Sequence, residues 1–260
     1  MHMVLKRALS IPSLSGEKTR RLYIFLPEDY EKDASARYPV MYMFDGHNVF
    51  FDEDATFGKS WGMNEYMLRT KKQLIIVAVE CNTQGHKRLE EYSPVDFAYP
   101  PAGQIKGIGK TYMDWLVKEL KKAIDAEFRT MADREHTYIA GSSMGGLMAL
   151  YAAVTYTDVF SKAACLSPSL WIAPEKVKSI LNGAGDLSGS VVYIDYGSEE
   201  MKNHCESKQA LLSAVSALCL KEANVSFRII PGGTHSEASW ERQIPVFMEC
   251  LGIGSEAPAD

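Results

Sequence analysis

The five residues at positions 141–145, Gly-Ser-Ser-Met-Gly, constrain this chain more than any other stretch of its sequence. They read G-x-S-x-G with Ser143 at the centre, and they lie between a β-rich run at 136–140 and an apolar stretch at 147–154. A serine in a sharp turn is crowded by the residues two before and two after it, and glycine fits there because it has no Cβ. The pattern therefore predicts a nucleophile elbow, a strained strand-to-helix turn that presents the hydroxyl of Ser143.

Length and composition favour a globular protein with a large core. The chain has 260 residues, of which 46% are hydrophobic, and we expect a single domain over residues 1–260. A net charge of −5 makes nucleic acid and anionic membrane surfaces poor partners, and we expect neither. The five cysteines are scattered, with no Cys-x-x-Cys, which indicates free thiols in a reducing compartment. No membrane span or secretory signal is visible, so we predict a cytoplasmic protein.

Strand-like and helical patterns alternate along the chain. Strand-like runs occur at 21–26, 40–44, 74–79, 136–140, 163–166, 191–196 and 225–230. Several of them are continuous apolar stretches, which are typical of strands buried on both faces. Helical patterns occur at 112–128, 206–223 and 241–251, and a further helix is expected to begin at Met144. The alternation predicts an α/β fold with a mostly parallel central sheet covered by helices on both faces. The polar segment 85–109 is too long for an ordinary connection, so we expect a loop over the site, with a solvated surface excursion as the alternative.

A serine nucleophile needs a base, and the base needs an acid to orient it. His235 is the best placed of the six histidines, because it lies in a glycine-rich turn directly after the last predicted strand. The acid is expected after a strand between the nucleophile and the histidine, which points to the loop after the run at 191–196. Glu200 is the first candidate and Glu199 the second, whereas Asp195 lies within the strand, where a paired structural role is favoured.

Further stretches at 21–27, 43–50, 91–94, 167–171, 195–200 and 233–237, together with the elbow, carry a family resemblance. In these residues the chain resembles the esterase D branch of the α/β-hydrolases, which includes siderophore, feruloyl and acetyl-xylan esterases. The resemblance implies an α/β-hydrolase fold and a serine esterase with Ser143 as nucleophile, His235 as base and Glu200 as acid. The acid of this family is often aspartate, and glutamate is one methylene longer.

An ester hydrolase also needs backbone amides that bind the developing oxyanion. The N–H of Met144 is one expected donor, because this residue follows the nucleophile at the start of a helix. The second donor is expected after the run at 40–44, where many relatives carry a His-Gly pair and this chain has Asp45-Gly46-His47-Asn48. We predict that the N–H of His47 is this donor and that its imidazole is uninvolved.

The substrate is less constrained than the chemistry. Trp61, Trp171 and Trp240 are expected near the catalytic edge, where each either stacks on an aromatic or sugar ring or packs in the core. We therefore favour a feruloyl or acetylated-sugar ester as the substrate. This ester is either a small molecule or part of a larger carbohydrate. No metal-ligand spacing and no nucleotide-binding glycine motif is present, so we expect no metal and no cofactor.

The sequence also allows other substrates and functions. The aromatic residues Tyr92, Phe97 and Tyr99 in the segment 85–109 also favour a ring-bearing substrate, whereas Lys87 and Arg88 offer a small basic site for an anionic siderophore lactone. An acyltransferase on the same scaffold would pass the acyl group to an alcohol, although the sequence shows no acceptor site. A non-catalytic binding module would keep the fold without the chemistry.

Overall fold

The computed structural model describes residues 4–200 and 205–254. Its strands are β1 (Val4–Ser10), β2 (Thr19–Phe25), β3 (Val40–Met43), β4 (Ile75–Val79), β5 (Phe97–Tyr99), β6 (Gly103–Ile105), β7 (Thr137–Ser142), β8 (Lys162–Leu166), β9 (Val191–Gly197) and β10 (Asn224–Ile230). Its α-helices are α1 (Pro12–Ser15), α2 (Met63–Thr70), α3 (Lys87–Glu91), α4 (Gly109–Trp115), α5 (Lys121–Glu127), α6 (Met144–Thr155), α7 (Pro174–Asn182), α8 (Cys205–Leu220), α9 (Glu237–Glu241) and α10 (Ile244–Cys250). A π-helical turn, Leu116–Leu120, joins α4 to α5, and 3-10 turns lie at Gly46–Asn48, Arg134–His136 and Leu170–Ile172.

The larger sheet has the strand order β1-β2-β4-β3-β7-β8-β9-β10. β2 runs antiparallel to both of its neighbours, whereas the strands from β4 to β10 in this order are parallel to one another. The prediction of a mostly parallel sheet is confirmed. Parallel strands end at the same edge of a sheet, so the segments that follow β3, β4, β7, β8, β9 and β10 emerge together.

The central strands of the sheet are buried on both faces. Ile139 of β7 packs into a cluster that includes residues of α4 to α8, whereas its neighbours Tyr138 and Ala140 pack into a cluster that includes residues of α2 and α10. Strands covered on both faces need apolar side chains at successive positions, which explains the continuous apolar runs in the sequence. Within the described residues, none of the helices combines the length and the apolar character needed to cross a bilayer.

Several segments differ from the sequence-based expectations, among them α2 and α7, which the sequence patterns did not indicate. No strand was expected at residues 4–10, yet β1 pairs with β2 along its whole length; only Val4 of this edge strand is buried, so it lacks an apolar run. The segment 85–109 contains α3 and the hairpin of β5 and β6. The helix predicted at 241–251 corresponds to α10, which begins later, at Ile244, with α9 before it; Pro245 lies in the first turn of α10, where its missing N–H is tolerated.

The elbow has the predicted strand–turn–helix form. Ser143 lies between β7 and α6 with a φ of 58° and a ψ of −123°, a conformation that residues with a Cβ rarely adopt. A Cβ on Gly141 would lie 2.6 Å from the carbonyl carbon of Gly145, and a Cβ on Gly145 would lie 2.8 Å from the Cβ of Phe44. These two glycines therefore allow β7, α6 and the segment after β3 to meet directly at the turn.

Candidate active site

Backbone hydrogen bonds hold Ser143 against the neighbouring strand. Its N–H donates to the carbonyl of Leu166 at 2.9 Å, and its own carbonyl accepts the N–H of Ser169 at 3.0 Å. Both partners belong to the end of β8 and the segment that follows it. The hydroxyl oxygens of Ser143 and Ser169 lie 3.4 Å apart. The elbow is thus anchored to β8 on the side of the sheet edge where the loops emerge.

His235 and Glu200 come from the segments after β10 and β9, and they meet. Nδ1 of His235 lies 2.6 Å from Oε2 of Glu200. The other carboxylate oxygen, Oε1, accepts the hydroxyl of Ser167 at 2.8 Å and the N–H of Gly197 at 2.9 Å. Burial raises the pKa of Glu200, but the interactions with His235, Ser167 and Gly197 outweigh it and hold this pKa below its ordinary value. The result is an ionised carboxylate aimed at an imidazole.

The neighbouring Glu199 has different surroundings. Its side chain is exposed, and its backbone N–H donates to the carbonyl of Gly233 at 3.0 Å. Asp195 is buried within β9, where it accepts the hydroxyl of Tyr193 at 2.8 Å. Of the carboxylates considered from the sequence, Glu200 is therefore the one that the fold brings to His235.

Ser143 and His235 line the same cavity, which has a volume of about 540 Å³. The hydrogen bonds found among the described residues do not join the two side chains to each other. Catalytic hydrogen bonds are often long in a free enzyme and tighten only in the substrate complex. The informative observation is thus that the serine and the histidine open onto one space.

The two expected oxyanion donors lie at the starts of helical turns. Met144 is the first residue of α6, and His47 lies in the 3-10 turn that begins after Asp45, whose φ is 53°. The first N–H groups of a helical turn have no partner within that turn, so such amides are suited to bind an anion. His47 is in the wall of the cavity, and its imidazole Nε2 lies 3.0 Å from Oγ1 of Thr56. Burial lowers the pKa of His47, which favours a neutral ring.

An ion pair between a partly buried arginine and a buried aspartate joins the segment 85–109 to the cavity. Nε and Nη2 of Arg88, in α3, each donate to a carboxylate oxygen of Asp45 at 2.7 Å. Burial raises the pKa of Asp45, but the charge and hydrogen bonds of Arg88 outweigh it and lower this pKa. At the other end of α3, Glu91 pairs with Arg20 of β2 at 2.7 Å. The helix is fixed at both ends, and Arg88 forms part of the cavity wall.

Asp45 also belongs to a cluster of metal-ligand residue types. A carboxylate oxygen of Asp45, a ring nitrogen of His47 and Sγ of Cys81 all lie within 4.8 Å of one another in the described part of the chain. Both carboxylate oxygens already accept hydrogen bonds from Arg88, whose positive charge is adjacent. A cation would have to displace this guanidinium, so the arrangement favours the ion pair over a metal centre.

The three tryptophans lie in different surroundings. Trp61 is buried, with its ring centroid 6.1 Å from that of Trp240 and 6.4 Å from that of Phe247. Trp61 thus packs in the core, which is the alternative to substrate binding that the sequence left open. Trp240 is buried edge-on against His235 and lines the cavity of Ser143. Trp171 is 47% exposed and lines a second cavity of about 550 Å³, which also includes His235 and Glu200.

Sequence reasoning missed several neighbours of the site. Ser167 and Ser169 contact Glu200 and Ser143, and their position directly after a predicted strand was a usable signal. Glu237 is buried in the cavity wall, where burial raises its pKa, and nothing in the sequence separates it from surface charge. Two aromatic residues of the segment 85–109 that suggested a ring-bearing substrate are core residues instead, namely Tyr92 and Phe97.

Comparison with known proteins agrees with this architecture. Residues 13–248 match the family described as "Putative esterase". Because the match covers well over half of the chain, the protein belongs to this esterase family. Its fold is that of the α/β-hydrolases, as the sheet order and the elbow indicate.

Individual relatives are distant in sequence. The uncharacterized protein YbbA of Bacillus subtilis (strain 168) is 24% identical over 197 residues, which are 72% of each chain. A solved ferulic acid esterase superposes with a TM-score of 0.69 at 20% identity, covering 96% of this chain and 98% of the other. The enterobactin and salmochelin hydrolase IroE superposes with a TM-score of 0.67 at 19% identity, covering 96% and 95%. At such identities the likeness to solved structures shows a shared fold.

The Asp45–Arg88 pair leads to a stability prediction. Arg88→Met should lower the free energy of unfolding by about 2–3 kcal/mol, slightly less than the loss of a fully buried pair, because it leaves a buried carboxylate without its partner. Adding Asp45→Asn should recover most of this loss, since a neutral amide needs no counter-charge and asparagine tolerates a left-handed backbone. Urea unfolding of the wild type and both variants measures these differences. Equal instability of the single and double variants would contradict the ion-pair explanation.

Proposed function

We propose that this protein is a serine esterase that hydrolyses a carboxylic ester through an acyl-enzyme. The observation that carries the proposal is that the strained elbow serine and His235 open onto one cavity while Nδ1 of His235 lies 2.6 Å from Oε2 of Glu200. An imidazole held through Nδ1 by a carboxylate has Nε2 available as a base. Membership of the esterase family supports the same reaction.

In the proposed reaction, Ser143 Oγ attacks the ester carbonyl carbon while Nε2 of His235 takes the hydroxyl proton. The N–H groups of Met144 and His47 bind the oxyanion of the tetrahedral intermediate. The bond to the leaving alcohol then breaks, and His235 returns the proton to the alcohol oxygen. Water attacks the acyl-enzyme in the same way, giving a proton to His235, and the carboxylic acid leaves as Ser143 regains its hydrogen. Glu200 keeps the imidazole in the required tautomer and stabilises its charged form.

For the substrate we propose a feruloyl or acetylated-sugar ester rather than an anionic triscatecholate lactone. A multiply charged anion is best recognised by cations whose charge is not already compensated. Arg88 donates to both carboxylate oxygens of Asp45, and Lys87 pairs with Glu90 at 2.7 Å. The two cations that the sequence offered for a siderophore are therefore already engaged by carboxylates.

Exposed aromatic rings support a ring-bearing substrate. Phe57 is 80% exposed and lines the cavity that contains Ser143, whereas Trp171 is 47% exposed and lines the second cavity. His235 borders both spaces, so one of them is suited to the acyl group and the other to the alcohol. Stacking on a flat ring of either part is the interaction that these two side chains provide.

A fluorophosphonate probe tests the nucleophile. The probe should label the wild type and should not label Ser143→Ala, which should also lower the turnover of p-nitrophenyl acetate by about four to six orders of magnitude. Ser169→Ala is the matched control, because its hydroxyl lies 3.4 Å from that of Ser143 but outside the elbow. This control should still be labelled. Labelling of Ser143→Ala to the same extent as the wild type would overturn the proposed function.

The two adjacent glutamates allow a matched test of the acid. Glu200→Gln should lower kcat by about 10³- to 10⁴-fold, because an amide cannot hold the required tautomer or stabilise the imidazolium. Glu199→Gln removes the same charge one residue away, from an exposed side chain, and should stay close to the wild-type value. The opposite ranking in steady-state kinetics would transfer the role to Glu199 and leave the nucleophile unaffected.

A substrate comparison tests the proposed specificity. We expect methyl ferulate or acetyl-xylan to be cleaved with a higher kcat/KM than a triscatecholate lactone, because the cavity offers exposed rings and compensated cations. Trp171→Ala should raise KM for the preferred substrate more than it lowers kcat. A clear preference for the lactone would refute the substrate assignment while leaving the esterase reaction in place.

A further inference from the structure

The two oxygens of the Glu200 carboxylate have different partners. Oε2 lies 2.6 Å from Nδ1 of His235, whereas Oε1 accepts the hydroxyl of Ser167 at 2.8 Å and the N–H of Gly197 at 2.9 Å. Rotation of the carboxylate away from His235 would break both hydrogen bonds at Oε1. The hydroxyl of Ser167 therefore restrains the group that orients the imidazole.

The direction of the Ser167 hydrogen bond is set by Trp240. The indole Nε1–H, which can only donate, lies 3.0 Å from Oγ of Ser167. Since Oγ accepts this bond, its single proton is left for Oε1 of the ionised Glu200, which can only accept. The Trp240 ring also packs edge-on against His235, with the ring centroids 5.1 Å apart. One tryptophan thus contacts both the hydroxyl and the imidazole.

The backbone of Ser167 is strained. Its φ is 42°, in the left-handed region that favours glycine. The N–H of Ser167 donates to the carbonyl of Asp195 at 3.0 Å and also lies 3.2 Å from Oδ1 of the same residue. Glycine would adopt this conformation more readily, so the presence of serine points to a use of its side chain.

We propose that Ser167 is a positioning residue for the esterase reaction, with its hydroxyl, directed by Trp240, holding the Glu200 carboxylate toward His235. The inference rests on the proposed function, because Ser167 has this role only if Glu200 orients the base. The hydrogen bond from Ser167 helps to lower the pKa of Glu200. Without it, the carboxylate should attract the imidazolium proton more strongly.

Two substitutions of Ser167 test the role of its hydroxyl. Ser167→Ala removes the hydroxyl, and Ser167→Gly removes both the hydroxyl and the backbone strain. Both should lower kcat about 10- to 100-fold, as expected for loss of a hydrogen bond to a charged group, with little change in KM. The acid limb of the kcat/KM profile should move to higher pH. Ser161→Ala is the matched control, because Ser161 is also buried and its hydroxyl donates to the carbonyl of Glu135 at the opposite edge of the sheet; it should change neither quantity.

Two double variants separate positioning from a general structural effect. In the Glu200→Gln background, Ser167→Gly should cause no further loss of kcat, because the hydroxyl acts through the carboxylate. Trp240→Phe keeps a ring against His235 but removes the N–H, so on its own it should lower kcat less than Ser167→Gly does. In the Ser167→Gly background, Trp240→Phe should cause no further loss of kcat. The inference would be overturned if the fold-losses in kcat of the single variants multiplied in both double variants. It would also be overturned if the pH profile of kcat/KM were unchanged in Ser167→Gly. If Ser143→Ala is still not labelled by the probe in that case, the proposed function stands and only the role of Ser167 fails.

Discussion

The close approach of backbone at the elbow is the constraint on which the rest of the site depends. A Cβ on Gly146 would lie 2.7 Å from the carbonyl oxygen of Leu166, so α6 can begin directly against β8 only because this position has no side chain. That contact allows the N–H of Ser143 to reach the same carbonyl. It also brings the segment after β8 beside Ser143. A larger residue at any of the elbow glycines would push α6 outward and move Ser143 away from the loops after β9 and β10.

Buried charge fixes the other wall of the cavity. A buried carboxylate is strongly destabilising unless a cation and hydrogen bonds accompany it, so Asp45 and Glu91 accept few positions other than those that face Arg88 and Arg20. Both of these pairs include a residue of α3, and their combined effect is to define where this short helix lies. Since Asp45 also begins the 3-10 turn that contains His47, α3 and the proposed oxyanion donor are held relative to each other.

Those parts of the site that follow local or topological rules could be predicted from the sequence. The strand–turn–helix form at Ser143 follows from its glycines, and the proximity of His235 to Glu200 follows because each comes after a strand at one edge of a parallel sheet. The ion pair of Arg88 with Asp45 joins residues 43 positions apart, and the hydrogen bond of Trp240 with Ser167 spans 73. Such contacts depend on tertiary packing and leave no periodic pattern. Residue type alone did not decide between core packing and substrate binding for Trp61, because tryptophan occurs both in cores and at binding surfaces.

A glutamate as the proposed acid changes what the surrounding residues must do. Compared with an aspartate, Glu200 has one more rotatable bond, and ordering it has a larger entropy cost. Gly197 offsets part of this cost, because its N–H binds Oε1 and because a Cβ there would lie 2.2 Å from the carbonyl oxygen of Gly233 and 2.8 Å from Oε1 itself. The end of β9 and the turn before His235 can therefore pack closely around the Glu200 carboxylate, which accepts a hydrogen bond from Gly197 three residues earlier. The longer glutamate side chain thus needs a further hydrogen bond at Oε1, the oxygen that does not face His235, and the hydroxyl of Ser167 donates this bond.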